Sequence, residues 1–218
     1  IETLEYFGAR VDERAALPVD QRPDDLITLL VETEIDGEPL DRRHLLGTCF
    51  LLLLAGIDTT WSAIGSSLWH LATHPEDQAR LRAEPDLIDS AVEELLRVYS
   101  PVTMAREVIA DVEVAGCPMK PGDKVLMSFP AANRDPAHFE NPDEFIIDRE
   151  RNRHVAFGSG IHRCLGSNLA RMELRVAIQE WLTRIPTFEL ADPAAVTWTG
   201  GQVRGPRTIP VRWSVTQP

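Results

Sequence analysis

A chain of 218 residues, 44% hydrophobic and 26% charged, carries enough apolar content to bury a core as one domain or two small ones. Its net charge of −12 argues against nucleic acid as a partner, because phosphate binding needs clustered Lys and Arg. Cys49, Cys117 and Cys164 are widely spaced and include no Cys-x-x-Cys pair, which argues against a disulfide framework or a zinc site and suits a reducing, cytoplasmic setting.

In chain order, helical text runs from Ile1 to Leu17 and stops before Pro18. A second helix is expected over 24–34, opened by Pro23 and acidic residues, and Asp36-Gly37 then marks a turn. From Asp41 to Thr73 the pattern is one long helix, apolar almost all round through its middle and therefore expected to be buried. Its most apolar run, Leu45 to Ile57, is shorter than the roughly 20 residues of a membrane span and ends at Asp58, so a core helix and no membrane partner are expected. Within it, Ala55-Gly56-Ile57-Asp58-Thr59-Thr60 sets an acid and two hydroxyls in apolar surroundings, where polar groups need partners. Either they serve chemistry there or they meet solvent at a bend, since mid-helix Thr can bond back to a carbonyl.

Pro75 opens a helix to about Ala83, and Pro85 opens the next. Across 86–99 the residues Leu87, Ile88, Ala91, Val92, Leu95, Val98 and Tyr99 form one apolar stripe, bordered by Glu94. Arg97, three residues on, neighbours Glu94 on the helix surface, an arrangement that an exposed pair would share. After Pro101 the text turns to strands between Val108 and Ser128. Val112 and Val114 alternate with acids, Lys120-Pro121-Gly122-Asp123 suits a type II turn, and Val125 and Met127 continue the return strand. Residues 130–152 read as an irregular meander. Arg149, Arg151, Arg153 and Arg163 then make a local basic patch in an acidic chain, either a solvated loop or a docking surface for an acidic partner.

The run Phe157 to Gly166 is crowded with Gly158, Gly160 and Gly166, as a loop pressed against a flat group would be. Helical spacing resumes with Leu165, Leu169, Met172, Val176 and Leu182, so Cys164 sits at a helix N-terminus, where free N–H groups and the dipole favour a thiolate. A thiolate is the form that ligates metal. Pro186 ends that helix, 198–207 is turn-rich, and 209–215 is strand-like. A nucleophile elbow and a dinucleotide fingerprint both fail on spacing around Gly158-Ser159-Gly160.

Phe157, Gly160, Cys164 and Gly166 match the cytochrome P450 haem signature Phe-x-x-Gly-x-x-x-Cys-x-Gly, and His162 fits its bacterial form. The resemblance covers about residues 24–213 and extends, in the family's order, through Ala55 to Thr60, Glu94-x-x-Arg97 and Arg149. It implies a mainly α fold with small antiparallel β-sheets. Residues 1–218 would then be the C-terminal haem-binding part of a larger domain, since the chain opens on Ile1.

The resemblance further implies haem b, with Cys164 as the iron ligand and Phe157, Gly158 and Gly166 around it. Arg106, His154 and His162 would meet its propionates. Thr59 would hydrogen-bond dioxygen and Asp58 would relay protons, while Glu94, Arg97 and Arg149 would form a buried structural network. Ala55, Ile57, Val102, Thr103 and Gln202 would face an organic substrate. The implied activity is a monooxygenase using O2 and electrons from a ferredoxin or a fused flavin/iron–sulfur reductase. A peroxide-using haem-thiolate enzyme and a haem sensor or electron-transfer protein are the other readings.

Overall fold

The computed structural model describes residues 2–214; Ile1 and Val215, the expected ends of the first helix and last strand, lie outside them. The chain divides into two compact units, one up to Ile57 and one from Asp58 onward.

The first unit holds α1 (Glu2–Ala16), α2 (Leu26–Glu32) and the beginning of α3 (Arg42–Thr73). Asp25 accepts from the Thr28 N–H at 2.8 Å, which caps α2 and makes 24–25 its lead-in rather than its first turn. Asp36 and Gly37 take φ values of 54° and 81° between β1 (Glu34–Ile35) and β2 (Glu38–Pro39). A two-residue hairpin turn demands positive φ at both positions, and Asp-Gly supplies it. A small core forms from Val11, Leu45 and Cys49 with Phe7, Ile27 and Leu30 around it.

The expectation that the middle of α3 is buried is not met: residues 50–58 are all exposed, Leu51, Leu54 and Ile57 among them. Apolarity on every side of a helix says that water is an unfavourable neighbour but not which surface replaces it. The helix is also longer than its most apolar run. At 32 residues it is long and apolar enough to cross a membrane by length and composition alone. Its last turns are core nonetheless, with Ala63, Ser66, Ser67, His70, Leu71 and Ala72 buried.

The second unit packs that end of α3 with α4 (Pro75–Ala83), α5 (Ile88–Val98) and α7 (Ser167–Arg184). The stripe read on α5 is the face it buries: Ile88, Ala91, Val92, Leu95 and Val98 all enter the core, beside Leu174, Ile178 and Leu182 of α7. Residues 85–87 form a single 3-10 turn ahead of α5.

The strands pair differently from the sequence reading. The strand after the Pro-Gly turn, β6 (Lys124–Ser128), pairs antiparallel with β3 (Thr103–Glu107), a segment upstream of the expected sheet. Val112 and Val114 belong to β4 (Val112–Val114), which closes on β5 (Cys117–Met119) through Ala115-Gly116 at φ 50° and 80°. Positive φ at an alanine is unfavourable, so nothing in its identity announced the turn. Short α6 (Phe129–Ala132) leads into the meander. Near the C-terminal end, β7 (Phe188–Leu190) pairs with β10 (Val211–Trp213), and β8 (Thr197–Thr199) with β9 (Gly205–Thr208).

Candidate active site

The cysteine loop is built by its glycines and closed by its own backbone. Gly158 and Gly160 have φ of 70° and 69°, in the left-handed region that side chains avoid. The Gly158 N–H donates to Val155 O at 2.9 Å, Arg163 N–H to Gly160 O at 3.1 Å, and Cys164 N–H to Phe157 O at 2.8 Å. Gly166 caps α7 without a side chain, so Cys164 lies three residues before the first helical residue, its carbonyl accepting from Ser167 N–H at 3.4 Å. The thiol is free and exposed. Beside it Ile161 and Leu165 are 97% and 88% exposed, apolar side chains standing in water next to a metal-ligating atom type.

Two adjacent carboxylates on α5 hold the ground around this loop. Glu94 and Arg97 are both fully buried. Arg97 reaches both Glu94 oxygens at 2.8 Å, and Arg149 donates through Nε to the same two oxygens at 3.0 and 3.1 Å. Ile146 N–H and Asn152 add 2.9 and 3.0 Å contacts, so the carboxylate is fully engaged. The guanidiniums spend their other donors on meander carbonyls: Arg97 on Asn133, Pro142 and Glu144, Arg149 on Glu140, Asn141 and Glu144. Burial alone would raise the Glu94 pKa, but Arg97, the Ile146 amide and Arg149 together hold it below the usual carboxylate range. Arg149 is thereby withdrawn from the basic patch; Arg151, Arg153 and Arg163 remain exposed.

Glu93 faces the other way. Its oxygens take Nε and Nη2 of Arg171 on α7 and, at 3.0 Å, Nε2 of His154. Because Ala156 N–H donates to Nδ1 of His154 at 3.2 Å, the proton of that ring sits on Nε2, toward Glu93. The His154 side chain is buried and both its nitrogens are engaged, so it turns inward instead of reaching for a propionate. Burial opposes charge on Glu93, yet the His154 and Arg171 bonds outweigh it and draw its pKa down to about 2.

Asn133 lies in the meander, a stretch that the sequence marks only as irregular. Fully buried, it donates to Ser100 Oγ at 2.6 Å and accepts from Val155 N–H at 2.7 Å, which joins the end of α5 to the entry of the cysteine loop. A polar side chain in a turn-rich stretch carries no sign of burial in its own identity.

On α3, Asp58 is exposed and Thr59 half-buried at the start of the second unit; Ala55 and Ile57 lie exposed in the preceding turn. Nearby the chain makes a close crossing. A side chain at Gly205 of β9 would meet Ser62 of α3 at 2.5 to 2.9 Å, and one at Gly65 would meet Pro206 at 3.0 Å. The loop beyond β8 then reaches the segment after Pro101: Val102 bridges Val203, Thr103 N–H donates to Gln202 O at 2.9 Å, and Arg204 N–H to Pro101 O at 2.7 Å. Val102, Thr103 and Gln202 are therefore brought together. Arg106 lies on β3, half-buried, with Nη1 on Ala105 O at 2.9 Å, and His162 is exposed.

The arrangement suits a flat apolar group that carries carboxylates and accepts one thiolate. The donor set offers a free exposed sulfur, glycines at 160 and 166 whose missing Cβ would meet nothing within 4 Å, uncovered Ile161 and Leu165, and Arg106 and His162 as carboxylate partners. No cluster of His, Cys, Asp or Glu suited to a bare metal ion occurs among the described residues.

A family model described as Cytochrome P450 matches residues 4–193, and the chain belongs to that family. It is 39% identical over 206 residues to a probable cytochrome P450 127A1 of Sinorhizobium fredii, covering 94% of this chain and 50% of that protein. It is 40% identical over 217 residues to the polyketide biosynthesis cytochrome P450 PksS of Bacillus subtilis, covering 98% and 53%. The solved structure of the latter superposes with a TM-score of 0.91 at 40% identity, over 98% of this chain and 55% of that one. The chain spans about half the length of the curated relatives it matches. Proteins of the family bind haem b through a cysteine thiolate.

Proposed function

We propose that the protein is a haem-thiolate monooxygenase in which Cys164 ligates the iron. The observation that carries this is the exposed cysteine, its backbone N–H donating to Phe157 O at the mouth of a glycine loop and its thiol flanked by exposed apolar side chains. Arg106 and His162 would take the propionates, Arg suiting a carboxylate through its planar fork. Once bound, the haem supplies the chemistry of O2 activation, with the thiolate pushing electron density toward it.

The residues of this chain bind, orient and move protons. Asp58, exposed on α3, serves the relay of protons from solvent, and Thr59, half-buried in the next position, offers its hydroxyl to dioxygen. Val102, Thr103 and Gln202, gathered by the bridge to Val203, form one wall for an organic substrate. Ala55 precedes Thr59 by four residues on the same helix and shares its face. The reduced carbon-monoxide difference spectrum of the haem-loaded protein tests the reading. A strongly red-shifted Soret band, lost in Cys164→Ser, is expected; a histidine-like band, or one unchanged by the substitution, sinks it.

Electrons arrive from a protein donor. In a chain of net charge −12, the exposed Arg151, Arg153 and Arg163 make a local positive surface beside the cysteine loop, suited to steering an acidic ferredoxin or flavin/iron–sulfur reductase. Reversing the three to Glu should slow reduction by such a donor and flatten its salt dependence, measured by stopped-flow; unchanged kinetics would remove the patch from the pathway.

A further inference from the structure

We infer that Glu93 is a positioning residue for Cys164: through Arg171 and His154 it clasps both flanks of the cysteine loop and balances the Arg171 charge that lies against it. This rests on the reading of Cys164 as the haem ligand.

The entry of the loop is held at His154, whose Nε2–H donates to Glu93 at 3.0 Å and whose Nδ1 receives the Ala156 N–H. Its exit is held at Arg171, in the second turn of α7, whose Nε and Nη2 form a two-pronged contact with the two Glu93 oxygens. The Arg171 guanidinium lies over the Phe157 ring, 4.6 Å from its centroid, and it is the Phe157 carbonyl that receives the Cys164 N–H at 2.8 Å. One carboxylate on a core helix therefore fixes residues 154–157 and the start of α7, the two ends between which Cys164 is suspended. The neighbouring carboxylate of Glu94 serves the meander instead, so two consecutive residues of α5 divide the work.

The same cluster governs charge. The Arg171 cation lies against the cysteine loop, over the ring of Phe157, whose carbonyl receives the Cys164 N–H, and it is paired there with Glu93. With Glu93 in place the cation is largely neutralised. Without it, an unpaired cation lies against the loop that carries Cys164, in partly excluded water where charges interact more strongly than in bulk. With haem held by Cys164, gaining an electron there would be favoured by a nearby cation and opposed by an anion.

Glu93→Gln removes the anion and leaves the cation; Arg171→Met does the reverse. In redox titrations of the haem-loaded protein, the midpoint potential is expected to rise in the first and fall in the second. Arg171→Lys, which retains charge but loses the fork, should stay near the parent value. A purely structural contact would move both charge-altering variants the same way or not at all, and either result overturns the proposal. If a variant loads haem poorly, amide hydrogen exchange of the purified protein decides. Exchange across 155–166 should accelerate in Glu93→Gln and Arg171→Met while 140–152, held by Glu94, keeps the parent rate. Uniform acceleration, or none, overturns the clasp. The carbon-monoxide spectrum of Cys164→Ser tests the ligand assignment separately, so a failed clasp and a failed ligand assignment are told apart.

Discussion

Glu94 brings a full negative charge to a position with no water, and only the completeness of its coordination makes that tolerable. Its two oxygens receive Arg97, Arg149, Asn152 and the Ile146 amide, and the two arginines in turn satisfy meander carbonyls that have no strand or helix to pair with. The network thus replaces secondary structure for an irregular segment. Cutting Arg97 to Ala takes one of its two guanidiniums from the buried carboxylate and leaves the Asn133 and Pro142 carbonyls without that donor, while Glu144 keeps Arg149; removing one member of a buried pair costs about 3–5 kcal/mol. Chemical denaturation of Arg97→Ala should show a loss in that range, whereas Arg151→Ala, an exposed residue two positions beyond Arg149, should stay within about 0.5 kcal/mol of the parent. The spacing of Glu94 and Arg97 showed that they were helix neighbours. It could not show that they faced inward, because that depends on Arg149 and on carbonyls 36 to 47 residues away.

At the scale of elements, the helices were legible and the pairing of the strands was not, for a physical reason. A helix closes its hydrogen bonds within itself, and its periodicity, caps and prolines lie within a few residues; α4 and the stripe of α5 follow from such local signals. A strand of three to five residues draws its bonds from elsewhere, so β6 could be recognised but not its partner β3. The closest non-local fit is the crossing of β9 on α3. Gly205 leaves so little room that an added Cβ would fall 2.5 Å from Ser62 Cβ and 2.9 Å from its Cα, which is backbone and cannot rotate away. Gly205→Ala should therefore lower the melting temperature, at a cost of about 1–3 kcal/mol. Ser62→Gly in the same chain removes two of the three contacts and should recover part of that loss, an interaction that a double-mutant cycle reads directly. Additive losses would mean that the hairpin shifts as a body instead of pressing on α3.

For the molecule as a whole, buried ionisable groups set the response to acid. His70, fully buried in the second unit, has Nδ1 2.8 Å from Tyr99 Oη and Nε2 2.9 Å from Asp77, and its ring stacks on His74 at 4.1 Å. Burial, helped by His74, draws the pKa from 6.5 down to about 3, against the weaker opposing pull of Glu76 and Glu94. Helical spacing in an apolar stretch was visible at His70; the burial and the stacked His74 ring that decide its protonation were not. The unfolded chain takes a proton on this histidine near pH 6.5, while the folded chain stays neutral until about pH 3, so the unfolded state binds more protons between these values. Stability contributed by a neutral His70 is complete above pH 6.5 and is lost as the pH falls toward 3. Glu93 acts in the same direction lower down: its folded pKa of about 2 lies below the usual 4.5, so its contribution is present above pH 4.5 and is lost as the pH falls through that interval. Urea titrations from pH 8 to pH 3 should show stability falling in two overlapping stages. His70→Gln should flatten the stage between pH 6.5 and 4.5 while leaving the lower one, and Glu93→Gln should flatten the lower one alone. A His70→Gln protein that keeps the full slope above pH 4.5 would place the acid response elsewhere.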